Sequence, residues 1–166
     1  MAAPDIVMYE EEFNQIKTVI SKLRIDANAK VVFLVDKNGQ QIAAQGEIEN
    51  LDTTSLASLT AGNVAATDGL ARLIGEKEFS ILFHEGEKDN IHISIVAQRV
   101  ILVVIFDERS SLGLVRLRVK KASGELNDVF ARIMSKVEKE RAAAGAAFES
   151  PFAEITDDDI DSLFSE

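Results

Sequence analysis

Residues 50–79, NLDTTSLASLTAGNVAATDGLARLIGEKEF, decide the fold. Asp52 or Thr53 can cap a helix here. Ala57, Ala61, Ala65 and Gly69 then fall at steps of four and form a stripe of small side chains. Leu56, Leu59, Ala66, Leu70 and Leu73 form a bulkier stripe beside it. A surface helix needs only one apolar face, so the small stripe is a surplus that asks for close approach by something. Gly69 sharpens this, because glycine inside a helix costs about 1 kcal/mol relative to alanine. Either the stripe packs tightly on the chain's own sheet, or it is a docking face for another protein or a second copy. The doubled apolar surface favours docking.

Both flanks of this helix read as strands. Upstream, residues 8–25 have helical spacing, with Phe13, Ile16, Ile20 and Leu23 on one face and Glu10, Glu11 and Glu12 at the dipole-favoured start. KVVFLVD (30–36) reads as a buried strand. Asn38-Gly39 favours a type I′ turn, and residues 41–45 return as its partner. Downstream, residues 79–84 and 91–97 read as strands joined by EGEKDN. VILVVIF (100–106) follows after Gln98-Arg99 as the central strand. From Leu112 the residues Val115, Val119, Ala122, Leu126, Val129, Ile133 and Val137 keep helical spacing, with Ser110 or Ser111 as cap. The order is α-β-β-α-β-β-β-α, an α/β (α+β) fold. Three helices cover the two faces of a five-stranded, mainly antiparallel sheet, and the 53–73 region is its crossover.

The chain has 166 residues and 46% apolar composition, enough for one domain with a real core. We expect that domain at 1–141 and a tail at 142–166. No apolar run approaches the roughly 20 residues needed to cross a bilayer. MAAPDIVMYEEEF lacks a basic start and apolar core, so no secretory signal is expected. The absence of cysteine removes disulfides and thiolate chemistry, and fits a cytoplasmic protein.

The net charge of −10 is concentrated in the tail, where residues 142–166 hold seven acids and no Lys or Arg. A nearly neutral body lacks the basic footprint of nucleic-acid binding. Its one basic cluster, Arg116, Arg118, Lys120 and Lys121, is either a solvated helix face or a contact for an acidic partner. AAAGAAFESP (142–151) reads as a flexible linker. In FAEITDDDIDSLFSE, Thr156 can cap a short helix whose first turn is Asp157–Asp159 and whose Ile160, Leu163 and Phe164 share a face. So short a segment does not hold a helix alone. Phe152, Ile155, Ile160, Leu163 and Phe164 among acids mark a motif that folds into an apolar groove.

Catalytic chemistry finds little support. GxxxxGK[ST], GxGxxG and GxSxG are absent, and no carboxylates form a recognisable acid/base pair. His84 and His92, on neighbouring strands, could hold a metal with Glu85 or Asp89, but strand-end polarity explains them as well. We expect no catalytic residues, no metal and no cofactor.

AKVVFLVDKNGQ, DTTSLASLTAGNVAA and LVVIFDERSSLGLVRLR, in that order, resemble the roadblock family of dynein light-chain-like proteins. The resemblance runs from Val7 to Glu140 and resumes in SPFAEITDDDIDSLFSE. Within the family it points to the branch of bacterial regulators that activate a small Ras-like GTPase of the MglA type in cell polarity and gliding motility. It implies a profilin-like or longin-like fold and a homodimer whose third strands pair edge to edge, here at Phe79, Ile81 and Phe83. It implies that paired second helices hold one GTPase in its GTP form through Ala61, Ala65 and Gly69, with Arg72 at the edge and the tail adding a second contact. A cytoplasmic location at a cell pole follows from the same likeness. Thr67-Asp68 departs from the small or apolar residues expected there. Arg72, Arg99 and Arg109 could in principle reach into a GTPase site, although the resemblance implies activation without an inserted arginine. A roadblock scaffold, or a nucleotide-exchange regulator, is the alternative.

Overall fold

The computed structural model describes residues 9–153. Two strands with no exposed residue run through its centre, β1 (Val31–Asp36) and β5 (Val100–Phe106). They pair antiparallel from Val31↔Ile105 to Asp36↔Val100. Side chains alternate across a sheet, so each strand supplies both faces. Val32, Leu34, Leu102, Val104 and Phe106 meet one core. Val31, Phe33, Val35, Ile101, Val103 and Ile105 meet the other. β-branched residues fit such positions because they pack well on a pleated surface.

β2 (Gln41–Gly46) flanks β1, while β4 (Asn90–Val96) and β3 (Ile81–Glu85) continue beyond β5. The sheet order is β2-β1-β5-β4-β3, antiparallel throughout. α1 (Glu10–Asp26) and α3 (Leu112–Ala153) cover one face, and α2 (Thr53–Leu73) covers the other as the crossover between the two edges. This is the expected order and architecture.

α1 and α3 pack antiparallel. Ile16, Ile20 and Leu23 are buried against Val115, Val119, Leu126 and Ile133. At the α3 start, the Ser110 hydroxyl donates to the Ala27 carbonyl and Ser111 Oγ accepts from Leu114 N–H at 3.2 Å, so Ser111 is the cap. At the other end Glu12, read as a dipole partner, is instead buried and ion-paired to Lys136. That bond holds its carboxyl below the usual range.

Three expectations need correction. Asn38-Gly39 does not form a type I′ turn, because only Gly39 has positive φ (91°). Asp36 takes over the loop instead, its Oδ1 accepting from the N–H groups of Asn38 and Gln40, both at 2.9 Å. The glycine then serves as the left-handed residue of a bulged, longer hairpin. The turn with two left-handed residues lies at Ala97 (φ 54°) and Gln98 (φ 58°), between β4 and β5. Finally, α3 continues through 142–153, where a flexible linker was expected. Alanine is the best helix former, and AAAGAA extends an existing helix at no nucleation cost.

His84 and His92 lie on opposite faces. His92 pairs with Phe83, whose ring stacks on Phe106 under α3, whereas His84 meets Asn63 of α2. They cannot share a metal. His92 is buried with neither ring nitrogen hydrogen-bonded among the described residues, and burial, aided by the nearby Arg116 charge, lowers its pKa from 6.5.

Two outcomes follow for stability. The unfolded chain takes up a proton at His92 near its ordinary pKa, and the folded chain refuses it until a lower pH. Stability at this site is therefore full above the unfolded value and falls as pH drops below it. The urea midpoint should fall between about pH 7.5 and about pH 5.5, and His92→Leu should flatten that fall. An unchanged slope in the variant would remove His92 as the cause. In the second turn, left-handed backbone costs an ordinary residue about 1–2 kcal/mol. Ala97→Asn with Gln98→Gly should raise the thermal midpoint by a few degrees in calorimetry.

Candidate docking surface on helix α2 and the β3 edge

α2 begins where Asp52 Oδ1 accepts from Ser55 N–H at 3.0 Å and Oδ2 from the Ser55 hydroxyl at 2.7 Å. These bonds favour the ionised carboxylate and lower its pKa. The helix then crosses the sheet. Near its start, a Cβ on Gly39 would lie 3.3 Å from Ser58 Cα, so the β1–β2 hairpin turn rests against it. One turn on, Asn63 Nδ2 lies 2.9 Å from Nε2 of His84, on the opposite edge strand. Ala57, Thr60, Ala61 and Val64 are buried along this path. The hydroxyls of Thr60 and Thr67 donate to the carbonyls of Leu56 and Asn63, each at 2.7 Å, so neither needs an outside partner.

The stripe of small residues therefore divides. Ala57 and Ala61 pack against the chain's own sheet, which corrects Ala61 as a surface position. Small side chains there let the helix sit close to β1 and the Gly39 turn. Ala65, Gly69 and Arg72 are exposed. Of the bulkier stripe, Leu56 packs against the core beneath the helix, and Leu59, Ala66, Leu70 and Leu73 face outward. Leu59 is 72% exposed and Leu73 84%, with Leu70 and Ile74 alongside. A Cβ on Gly62 or Gly69 would meet nothing within 4 Å. The outer face is thus leucine with two bare glycine positions, a surface another helix could approach closely. Clustered exposed apolar side chains of this kind mark interaction sites more often than single scattered ones do.

β3 supplies the second open element. It is a sheet edge, paired only to β4 among the described residues. Ile81 is exposed, and Phe83 is half-buried against Phe106. Phe79 precedes the strand rather than lying in it. A hydrogen-bonding edge of this kind is a template for pairing with another chain.

Sequence reading singled out Ala65, Gly69 and Arg72, which lie exposed on this face, and did not single out Gly62 or the Asn63–His84 link. Helical spacing signals the first, since Gly62 and Gly69 lie seven apart on one face. Nothing in the sequence signals the second.

The three arginines considered for insertion differ in freedom. Arg109 is bound to Asp107 at 2.9 Å and Glu47 at 3.3 Å. The same guanidinium pulls the Asp107 carboxyl down to about 2, and the two acids raise the pKa of Arg109 in turn. Arg109 is therefore a structural clamp between the β5 exit and the β2 exit. Arg72 and Arg99 are exposed. Among the described residues no three His, Asp or Glu side chains are arranged to hold a metal, and no helix is long and apolar enough to cross a membrane.

Ile155, Ile160, Leu163 and Phe164 of the C-terminal motif lie outside the described residues, and of Phe152 only the backbone is described.

No match is found among curated proteins. Solved structures match along most of the chain. Myxococcus xanthus MglB is 66% identical, covering 76% of this chain and 96% of its own, with a TM-score of 0.73. The gliding protein MglB of Thermus thermophilus is 30% identical, covering 77% and 97%, with a TM-score of 0.72. A structure described as MglB with tetrameric arrangement is 29% identical, covering 80% and 99%, with a TM-score of 0.73. The Roadblock/LC7 domain description matches residues 15–106, from within α1 to the end of β5. With that match over more than half its length and these relatives beside it, the chain belongs to the Roadblock/LC7 family.

Proposed function

We propose that this protein is a homodimeric, non-enzymatic regulator that activates GTP hydrolysis by a small Ras-like GTPase of the MglA type, in the polarity and gliding machinery of its cell. The observation that carries this reading is the 66% identity to Myxococcus xanthus MglB over 76% of the chain. Two features of this chain support it, the β3 edge, unpaired on its outer side among the described residues, and the outward apolar face of α2. In the proposed dimer the two β3 edges pair at Ile81 and Phe83, with Phe79 beside them. The two α2 helices then present Leu59, Leu70 and Leu73 around Ala65 and Gly69, with Arg72 at the rim, as one platform for one GTPase.

Activation needs differential affinity. A dimer face that fits the GTP-bound shape better than the GDP-bound shape shifts the GTPase toward its reactive arrangement. It repositions the GTPase's own catalytic groups and inserts no arginine, which agrees with Arg109 being held by two carboxylates. The tail beyond Ala153 adds a second contact, raising the local concentration of one partner about the other. A site at a cell pole in the cytoplasm belongs to the same reading.

Single-turnover GTP hydrolysis by the Ras-like GTPase of the same organism, with excess of this protein, is the direct test. The expected result is a large acceleration, lost at least about tenfold in Gly69→Arg, at a position where an added Cβ meets nothing within 4 Å. Arg72→Ala should weaken binding yet still allow full activation at saturating dimer, whereas complete loss at saturation would mean an inserted arginine. Binding of the GTP form without acceleration would make the protein a scaffold or exchange regulator.

Removal of 154–166 should leave the dimer intact in sedimentation and lower activation severalfold. Loss of dimerisation on that truncation would overturn the division between body and tail.

A further inference from the structure

The basic end of α3 has no part in the function proposed above. Arg116, Arg118, Lys120 and Lys121 fall in its second and third turns, and its first turn carries no acid. The helix dipole prefers the reverse, so these charges are not there to stabilise the helix. Lys22 of α1 joins Arg118 and Lys121 around a shallow depression, with Asp26 and Glu125 as the acids at its rim. Two large apolar side chains stand in solvent beside these cations. Ile25, one turn from Lys22, is 70% exposed, and Leu117, one turn from Lys121, is 61% exposed. Arg118 Nε is buried and has no hydrogen-bond partner among the described residues.

We propose that this patch receives the acidic C-terminal segment, residues 154–166, of a second copy of the chain. Charge and apolar content match on both sides. EITDDDIDSLFSE holds six acids, no Lys or Arg, and the apolar residues Ile155, Ile160, Leu163 and Phe164. The patch offers Lys22, Arg118 and Lys121 around the depression against the acids Asp26 and Glu125, with Arg116 and Lys120 exposed on the same two turns of α3 and Ile25 and Leu117 exposed one turn from Lys22 and Lys121.

Length decides that the segment comes from another copy. α3 is helical to Ala153. At 1.5 Å per residue, Lys121 and Leu117 lie about 48 and 54 Å back along the helix from that point. A fully extended chain carries Ile160 at most about 25 Å and Phe164 at most about 40 Å from Ala153. The apolar group of the segment cannot reach the patch of its own chain, and in a second copy no such limit applies. Docking there links copies through α3, on the face of the sheet opposite α2. It also competes with any other seat the segment has, so the number of free segments falls as the protein concentrates.

A fluorescein-labelled peptide of residues 154–166, titrated with the full chain and followed by anisotropy, tests this directly. Saturable binding is expected at about 50 mM salt, weakened at least about tenfold at 300 mM. Lys120→Glu with Lys121→Glu should weaken it at least tenfold at low salt, and Leu117→Ser severalfold at both salts. All three positions are exposed, and an unchanged thermal midpoint would show the variants folded. In sedimentation the full chain should form species that the charge-reversed variant does not. Absence of saturable binding at low salt, or equal binding to the charge-reversed variant, overturns the proposal. So does binding of phosphatidylserine vesicles to the patch without binding of the peptide. No GTPase enters the assay, so its outcome is independent of the activation test.

Discussion

The antiparallel pair β1–β5 is the constraint on which the rest depends. Neither strand has a polar face to give to water, so the sheet must be covered on both sides. Burying that much apolar surface is the main favourable term in folding. It requires a chain that returns to opposite faces. α1 and α3 supply one cover and α2 the other, and α2 can do so only as a crossover between the two outer strands. That same crossing leaves one side of α2 turned outward and leaves β3 as an edge. The open surfaces of the molecule thus follow from the way its centre is closed.

Much of this was legible in the sequence, and the reason is periodicity. VILVVIF marks β5 to the residue, and the seven-turn apolar spacing from Leu112 gives α3 its register. Local signals did less well where a competing partner was available. Asn38-Gly39 carries the strongest hairpin signal in the chain, yet the Asp36 carboxylate binds two loop N–H groups and selects a longer turn. Ala97-Gln98 carries no such signal and adopts the left-handed pair, because the β4 and β5 ladders converge on it from Asn90↔Phe106 to Val96↔Val100. Tertiary pairing overrides local preference there. The 142–151 stretch went the other way, as alanine propensity and a ready-made helix end outweighed the small-residue look of a linker.

The candidate surface was half legible. Spacing put two apolar stripes on α2 but could not say which faced the sheet. Small residues suit both close packing inside and close docking outside, and the bulky stripe was the natural candidate for the core. The sheet resolves this. α2 approaches β1 where the Gly39 turn presses on Ser58, and a leucine at Ala57 or Ala61 would have held it off. While Leu56 packs inward, Leu59, Leu70 and Leu73 then fall on the outer side by geometry. Their exposure costs solubility in an isolated chain, which is why their outward placement says more about use than the small stripe did.

The Asn63–His84 hydrogen bond joins the two open elements. Asn63 is on α2 and His84 on β3, so the tilt of the helix over the sheet and the position of the edge strand are not independent. A partner strand that shifts β3 acts on the anchor of α2. A ligand seated on α2 acts in turn on β3, since linkage between two sites is reciprocal. The contact is an exposed hydrogen bond of modest net strength, so the coupling it carries is correspondingly small and its loss would leave both cores in place. His92 lies one strand inward, on the other face, where packing alone fixes it. The two histidines of this chain therefore mark its two regimes, a core set by burial and a surface set by single, replaceable polar contacts.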